Sequence, residues 1–165
     1  MKPLAVIALG SNLGDSSQIL RDVMARLQGF SDSPIIKSSL WQTTPVDCPP
    51  GSPKFLNAVA GLIPRKDETP ELLLAKLHAL EQAFGRGAKK MLNEPRPLDL
   101  DLIAFGNETR HSVRLVLPHP RAAERKFVLQ PLSEIAPQLI LAGQTKTVSE
   151  LLSALNTDEI LARVD

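Results

Sequence analysis

At 165 residues, with 43% hydrophobic and 22% charged side chains, the chain suits one ordered domain with a sizeable core. A net charge of +1 gives no global basis for binding nucleic acid or a membrane surface, so any basic function must come from local clustering. The single cysteine, Cys48, excludes an internal disulfide and a multi-cysteine zinc site; neither a leader-like segment nor a long apolar run is present, so cytoplasmic residence is expected.

Pro3 to Leu9 reads as a buried strand closed by Gly10, and residues 10–15 (GSNLGD) as a turn. That turn lacks the Lys-Ser/Thr of a P-loop and the three-glycine dinucleotide pattern, which favours a structural role over a phosphate loop. Asp15 or Ser16 caps a helix running to Leu27, with Ile19, Leu20, Val23 and Leu27 as its apolar stripe. Ile35 to Thr43 reads as a second strand. Residues 44–53 hold four prolines and a glycine, a composition that makes a long loop, and long loops in compact domains often carry function. Phe55 to Ile63 is a third strand, interrupted by Asn57, which bonds either backbone or a ligand. Thr69-Pro70-Glu71 starts a second helix, with Leu73, Leu74, Leu77 and Leu80 inward, His78 and Glu81 neighbours on its surface, and Gly85 at its end.

Arg86 to Pro95 is basic and unpatterned; Arg86, Lys89, Lys90 and Arg96 form either a solvated loop or a clamp for phosphate oxygens. A fourth strand follows from Pro97 to Phe105, and Leu115 to Leu117 reads as a further short one. A helix through Leu132 and a last helix over Thr147 to Leu155 complete the chain. No repeat or linker divides it, so residues 1–165 are expected to form a single domain, and without an exposed apolar stripe a monomer. The order of elements is that of a ferredoxin-like βαββαβ core of α+β class. It predicts an antiparallel sheet with helices on one face, an open face for a site, and C-terminal helical additions.

Within the fourth strand, alternation sends Leu98, Leu100 and Leu102 to one face and Asp99 and Asp101 to the other. Two residues of extension part the carboxylates by about 6 to 7 Å. At an effective dielectric near 20 such charges repel by roughly 2 to 3 kcal/mol. Either solvent screens them on an exposed face, or a cation sits between them. Oxygen ligands at this spacing suit Mg²⁺, which takes one or two carboxylates and leaves its other positions to water and phosphate.

Residues 95–103 (PRPLDLDLI), running on into Phe105-Gly106-Asn107, resemble the signature of the 6-hydroxymethyl-7,8-dihydropterin pyrophosphokinase family of folate synthesis. Supporting matches are residues 10–14 (GSNLG), residues 55–58 (FLNA), Glu81 with Gly85-Arg86, residues 117–120 (LPHP), and Arg125 with Phe127. The resemblance spans roughly residues 5 to 137. It implies transfer of pyrophosphate from ATP to the pterin hydroxymethyl group with release of AMP. It further implies that Asp99 and Asp101 bind two Mg²⁺ ions and act in catalysis with Arg96 and Arg86. Phe55 and Phe127 would sandwich the reduced pterin, with Asn57 and the backbone around Thr43, Thr44 and Val46 reading its edge. His78, Glu81, Arg96, Leu102, Arg114, His119 and Arg125 would face ATP.

The basic loop departs from the family pattern. Ala88 stands where many members carry arginine, and Leu92-Asn93 where an Arg-Trp pair is common. Lys89 and Lys90 keep the charge without arginine's two-pronged geometry, which predicts weaker or differently organised closure over ATP. Two other readings fit parts of the pattern: a degenerate pterin- or nucleotide-binding module, and a palm-like nucleotidyltransferase. The near-neutral charge argues against the second.

Overall fold

A computed structural model describes residues 3–43, 54–85 and 97–164. β1 (Ala5–Ser11) lies near the middle of an antiparallel sheet, paired in register with β4 (Phe55–Leu62) on one side and β5 (Asp99–Phe105) on the other. β3 (Trp41–Thr43) pairs with β4 and with β8 (Leu161–Arg163), giving the order β5-β1-β4-β3-β8; β2 (Ile36–Lys37) also pairs with β4. The helices are α1 (Ser16–Leu27), α2 (Pro70–Ala83), α3 (Lys126–Ile135) and α4 (Val148–Ala154). β6 (Arg110–His111) and β7 (Val116–Leu117) form a separate small hairpin.

The helix starts are chemically plain. The Asp15 carboxylate accepts from the Gln18 N–H at 3.3 Å, and the Thr69 hydroxyl from the Leu72 N–H at 3.1 Å, each filling an orphan donor of a first turn. α4 begins with a reciprocal box between Thr147 and Glu150.

Two expectations change. The sheet is covered on both faces, not one. Ala5, Ile7, Leu9, Ala58, Ala60, Leu100 and Leu102 pack with α1 and α2, while Val6, Val59, Ile103 and Ala104 pack with α3 and α4. The reason lies in β1 and β4 themselves: their near-continuous apolar runs mark strands buried on both sides. Only the end of the second face bearing Gly10, Asn57, Asp99 and Asp101 is polar. The expected strand over residues 35–43 is also broken, into β2 and β3. Between them the Ser38 N–H donates to the Val59 carbonyl at 2.9 Å while the Ser38 hydroxyl accepts from the Val59 N–H at 2.8 Å. A side-chain oxygen thus stands in for the backbone acceptor and interrupts the ladder.

A register shift between Val6 and Ile7 makes Ile103 an extra residue in β5. Ile103 and Ala104 therefore both join the α3/α4 core, and Phe105 returns to the α1/α2 core. The shift falls after the two aspartates, so their alternation is preserved. No helix among the described residues is long and apolar enough to cross a membrane.

Candidate active site

The sheet register assembles the site. Asp99 lies opposite Gly10 of β1, Gly10 opposite Asn57 of β4, and Asn57 opposite Trp41 of β3. Asp101 lies opposite Ala8 in the next row of the same face. Both aspartates are half-buried, whereas Leu100 and Leu102 are buried among the α1/α2 residues, as alternation predicts. Gly10 is thus a strand residue, not the start of a turn. A Cβ there would lie 3.2 Å from Asn57 Oδ1, 3.8 Å from Phe55 Cδ1 and 4.0 Å from Asp99 Cβ. The missing side chain leaves a gap that Asn57, Phe55 and Asp99 surround. Sequence reasoning missed this role, for which only the register gives a signal.

Asn57 is buried, and its amide nitrogen donates to the hydroxyl of buried Thr43. The choice between a backbone partner and a ligand is settled otherwise for that nitrogen: it holds a neighbouring side chain, while Oδ1 lies toward Gly10. Phe55 is half-buried at the start of β4. Phe127 is half-buried in the first turn of α3 and packs against the α3/α4 core, with the Arg125 guanidinium 5.4 Å from its ring centre.

On the outer side of β5 lies a cleft of about 280 Å³. His78 and Leu74 of α2, Asp101 and Leu102 of β5, and Arg114 and His119 are among its lining residues. Four of the residues expected at ATP, namely His78, Leu102, Arg114 and His119, therefore share one cleft with Asp101. The β6–β7 hairpin brings Arg114 there, held to α2 by Arg110 Nε donating to Glu71 Oε2 at 2.6 Å. That hydrogen bond holds the Glu71 carboxyl below its usual range. Leu74, Leu115 and Val116, which also line the cleft, carry no sequence signal beyond apolarity, whereas Pro120 belongs to the LPHP match.

Glu81 does not line the cleft. It is buried on α2, and its Oε2 accepts from the Leu100 N–H at 2.8 Å, tying the outer edge of β5 to the helix between the two aspartates. Glu81→Leu is expected to cost about 1–3 kcal/mol, because a buried N–H is left without an acceptor. Denaturant unfolding checks this, and Glu81→Gln is expected to recover most of the loss. Arg86, Arg96, Thr44 and Val46, together with Ala88, Lys89, Lys90, Leu92 and Asn93, lie outside the described residues.

His119 is held by its N–H donating to the Ile103 carbonyl at 2.8 Å, while its ring Nδ1 accepts from the Arg121 N–H at 3.3 Å. With Nδ1 an acceptor, the proton of the neutral ring belongs on Nε2. Burial pushes the His119 pKa down, the Arg125 and Arg121 charges push it further, and Asp99 opposes them. Arg125 is likewise lowered by burial and by Arg121, with Asp101 and Asp99 opposing, and it stays a cation. The sign for stability follows: as pH falls through the ordinary histidine range near 6.5, the unfolded chain takes up a proton before the folded one, and stability drops. His119→Gln should flatten the fall in denaturation midpoint between neutral pH and mildly acid pH.

One strand carboxylate, Asp101, thus shares a cleft with the Arg114 guanidinium and the imidazoles of His78 and His119, a set of groups suited to phosphate chemistry. Residues 6–137 match the model of the family described as 7,8-dihydro-6-hydroxymethylpterin-pyrophosphokinase, and the chain belongs to that family. A 2-amino-4-hydroxy-6-hydroxymethyldihydropteridine pyrophosphokinase of Synechocystis sp. is 36% identical over 152 residues, covering 92% of this chain and 76% of that protein. One of Methylorubrum extorquens is 35% identical over 156 residues, covering 94% and 96%. Among solved structures, wild-type Plasmodium falciparum HPPK-DHPS superposes with a TM-score of 0.72 at 14% identity over 93% of this chain, a likeness of fold alone. This chain spans 44% of that longer one.

Proposed function

We propose that this chain, as a single catalytic domain, transfers pyrophosphate from ATP to the hydroxymethyl group of 6-hydroxymethyl-7,8-dihydropterin, giving AMP and the pterin diphosphate. Family membership and the pyrophosphokinase relatives support the reaction. The observation that carries it in this molecule is the position of the acid pair. Asp101 lines the cleft shared by His78, Arg114 and His119, and Asp99 lies across Gly10 from Asn57. Asp101 thus faces the cleft on the outer side of β5, and Asp99 borders the gap over Gly10 that Asn57 and Phe55 also surround. The order β5-β1-β4-β3, with α1 and α2 on one face, supports a ferredoxin-like core to which α3, α4 and β8 are added.

The donor set fits magnesium. Two half-buried carboxylates share a strand face opposite the small residues Gly10 and Ala8. Among the described residues no group of three His, Cys, Asp or Glu forms a protein cage. That is the pattern of an ion completed by water and phosphate oxygens. Asp99 and Asp101 would hold two Mg²⁺ ions, which when bound neutralise phosphate charge and template the displacement.

The chain's own residues do the rest. Arg114 and Arg125 offer paired donors to phosphate oxygens, and Nε2–H of neutral His119 donates without adding a charge. Asn57 Oδ1 accepts from the pterin edge, and Phe55 and Phe127 supply aromatic faces for the ring. The pterin hydroxyl oxygen bonds to the β-phosphorus of ATP as the bond from that phosphorus to the α–β bridging oxygen breaks. AMP departs with the bridging oxygen, and the hydroxyl proton passes to solvent. Positioning and charge stabilisation carry the rate.

Chromatography of nucleotides after incubation with ATP, Mg²⁺ and the reduced hydroxymethyl pterin tests the reading. AMP is expected in equal amount to the pterin diphosphate. ADP alone, or binding of both substrates without turnover, refutes it.

A further inference from the structure

Three donors converge on one carboxylate at the seam between α3 and the sheet. Glu134 Oε1 accepts from the Ser39 N–H at 3.1 Å and from the indole N–H of Trp41 at 2.6 Å, and Oε2 accepts from the Ser39 hydroxyl at 2.8 Å. Glu134 lies in the last turn of α3, about two turns after Phe127. Trp41 opens β3, directly opposite Asn57, and two residues later Thr43 accepts the Asn57 amide. One end of this contact therefore belongs to the helix that carries Phe127, with Arg125 as its N-cap. The other belongs to the strand that fixes Asn57.

A second tie acts at the opposite end of α3. Lys126 Nζ donates to the Glu159 carbonyl at 3.4 Å, and the chain then enters β8, which pairs with β3 from Trp41 to Thr43. α3 is thus bound to β3 directly near its C-terminus and through the C-terminal segment near its N-terminus. One partner of this tie, Glu159, lies beyond residue 137, where the family match ends.

We infer that Glu134 is a positioning residue: by gripping Ser39 and Trp41 it fixes the rotation of α3 on the sheet, and with it the placing of Phe127 relative to Phe55 and Asn57. The inference rests on the pterin reading of that pocket. A rigid slot matters for a flat heterocycle because small misplacements of a stacking wall forfeit contact on the whole ring face. The cleft on the outer side of β5 is lined from α2, β5, the β6–β7 hairpin and the His119–Pro120 segment, none of which Glu134 touches through these bonds; of the residues expected at ATP, only Arg125, at the N-cap of α3, would turn with the helix.

The test uses the full chain with Glu134→Ala and Glu134→Gln, measuring steady-state kinetics for both substrates. Trp41 is the only tryptophan, so its emission reports the contact directly. Glu134→Ala should raise KM for the pterin about tenfold, the scale of one hydrogen bond to a charged acceptor. It should raise KM for ATP by a smaller factor, through Arg125 alone, leave kcat within about twofold, and shift Trp41 emission. Glu134→Gln, which keeps an acceptor for the indole, should reverse these changes. Wild-type turnover with an unchanged pterin KM in Glu134→Ala overturns the inference alone. So does a uniform loss in kcat and both KM values, the mark of a merely structural role. A wild-type chain that makes no AMP overturns the pyrophosphokinase reading and the inference with it.

Discussion

Asp101→Asn is expected to lower kcat at least about a thousandfold, and Asp99→Asn by a similar factor, with the fold retained. The amide matches the carboxylate in shape, so neighbouring contacts lose little. It removes the charge that would hold a divalent ion and makes half of the ligating group a donor. Both side chains are half-buried on the polar end of a sheet face, away from either core, so packing is undisturbed. Circular dichroism and denaturant midpoints close to wild type, beside a lost rate, would separate chemistry from folding. Full activity in either variant contradicts the acid-pair assignment.

Gly10→Val should raise KM for the pterin about a hundredfold, a larger effect than any change at the rim of the pocket. Its Cβ would lie 3.2 Å from Asn57 Oδ1, tighter than ordinary contact, and its methyl groups must occupy the gap between Asn57 and Asp99. A pocket that pairs a substrate's polar edge discriminates steeply once the acceptor is displaced. Overpacking of this kind costs about 1–3 kcal/mol in stability, so the comparison is made well below the unfolding temperature. Strand position is not at issue, since β1 stays paired on both sides and valine is a good strand former. An unchanged pterin KM would show that the substrate does not use this gap.

Much of this arrangement is legible in the chain. The spacing that predicts α1 over Ser16–Leu27 matches its bounds, and Thr69-Pro70-Glu71 marks the start of α2. The Leu98–Leu102 alternation places the aspartates on the face opposite α1 and α2. What is not legible depends on distant partners. β8 is three residues long and is a strand only because β3 offers an edge. β2 and β3 part because a serine hydroxyl replaces one ladder bond, a choice that no apolar pattern reveals. The cover on the second face is legible in the near-continuous apolar runs of β1 and β4, a signal for two-sided burial that the ferredoxin-like pattern overrides. Glu81 is polar at a helix surface by its spacing, yet it is buried because it serves the Leu100 amide.

Asp99 and Asp101 are expected to join a nucleotide cleft to a pterin pocket. The most direct measurement is a crystal structure with Mg²⁺, an ATP analogue carrying a methylene in place of the α–β bridging oxygen, and the pterin. Cations are expected about 2.0–2.1 Å from carboxylate oxygens of both aspartates. The nucleotide is expected along His78, Arg114 and His119, with the pterin against Asn57 and Phe55. Cations bound away from both aspartates, or a nucleotide outside that cleft, would contradict this assignment.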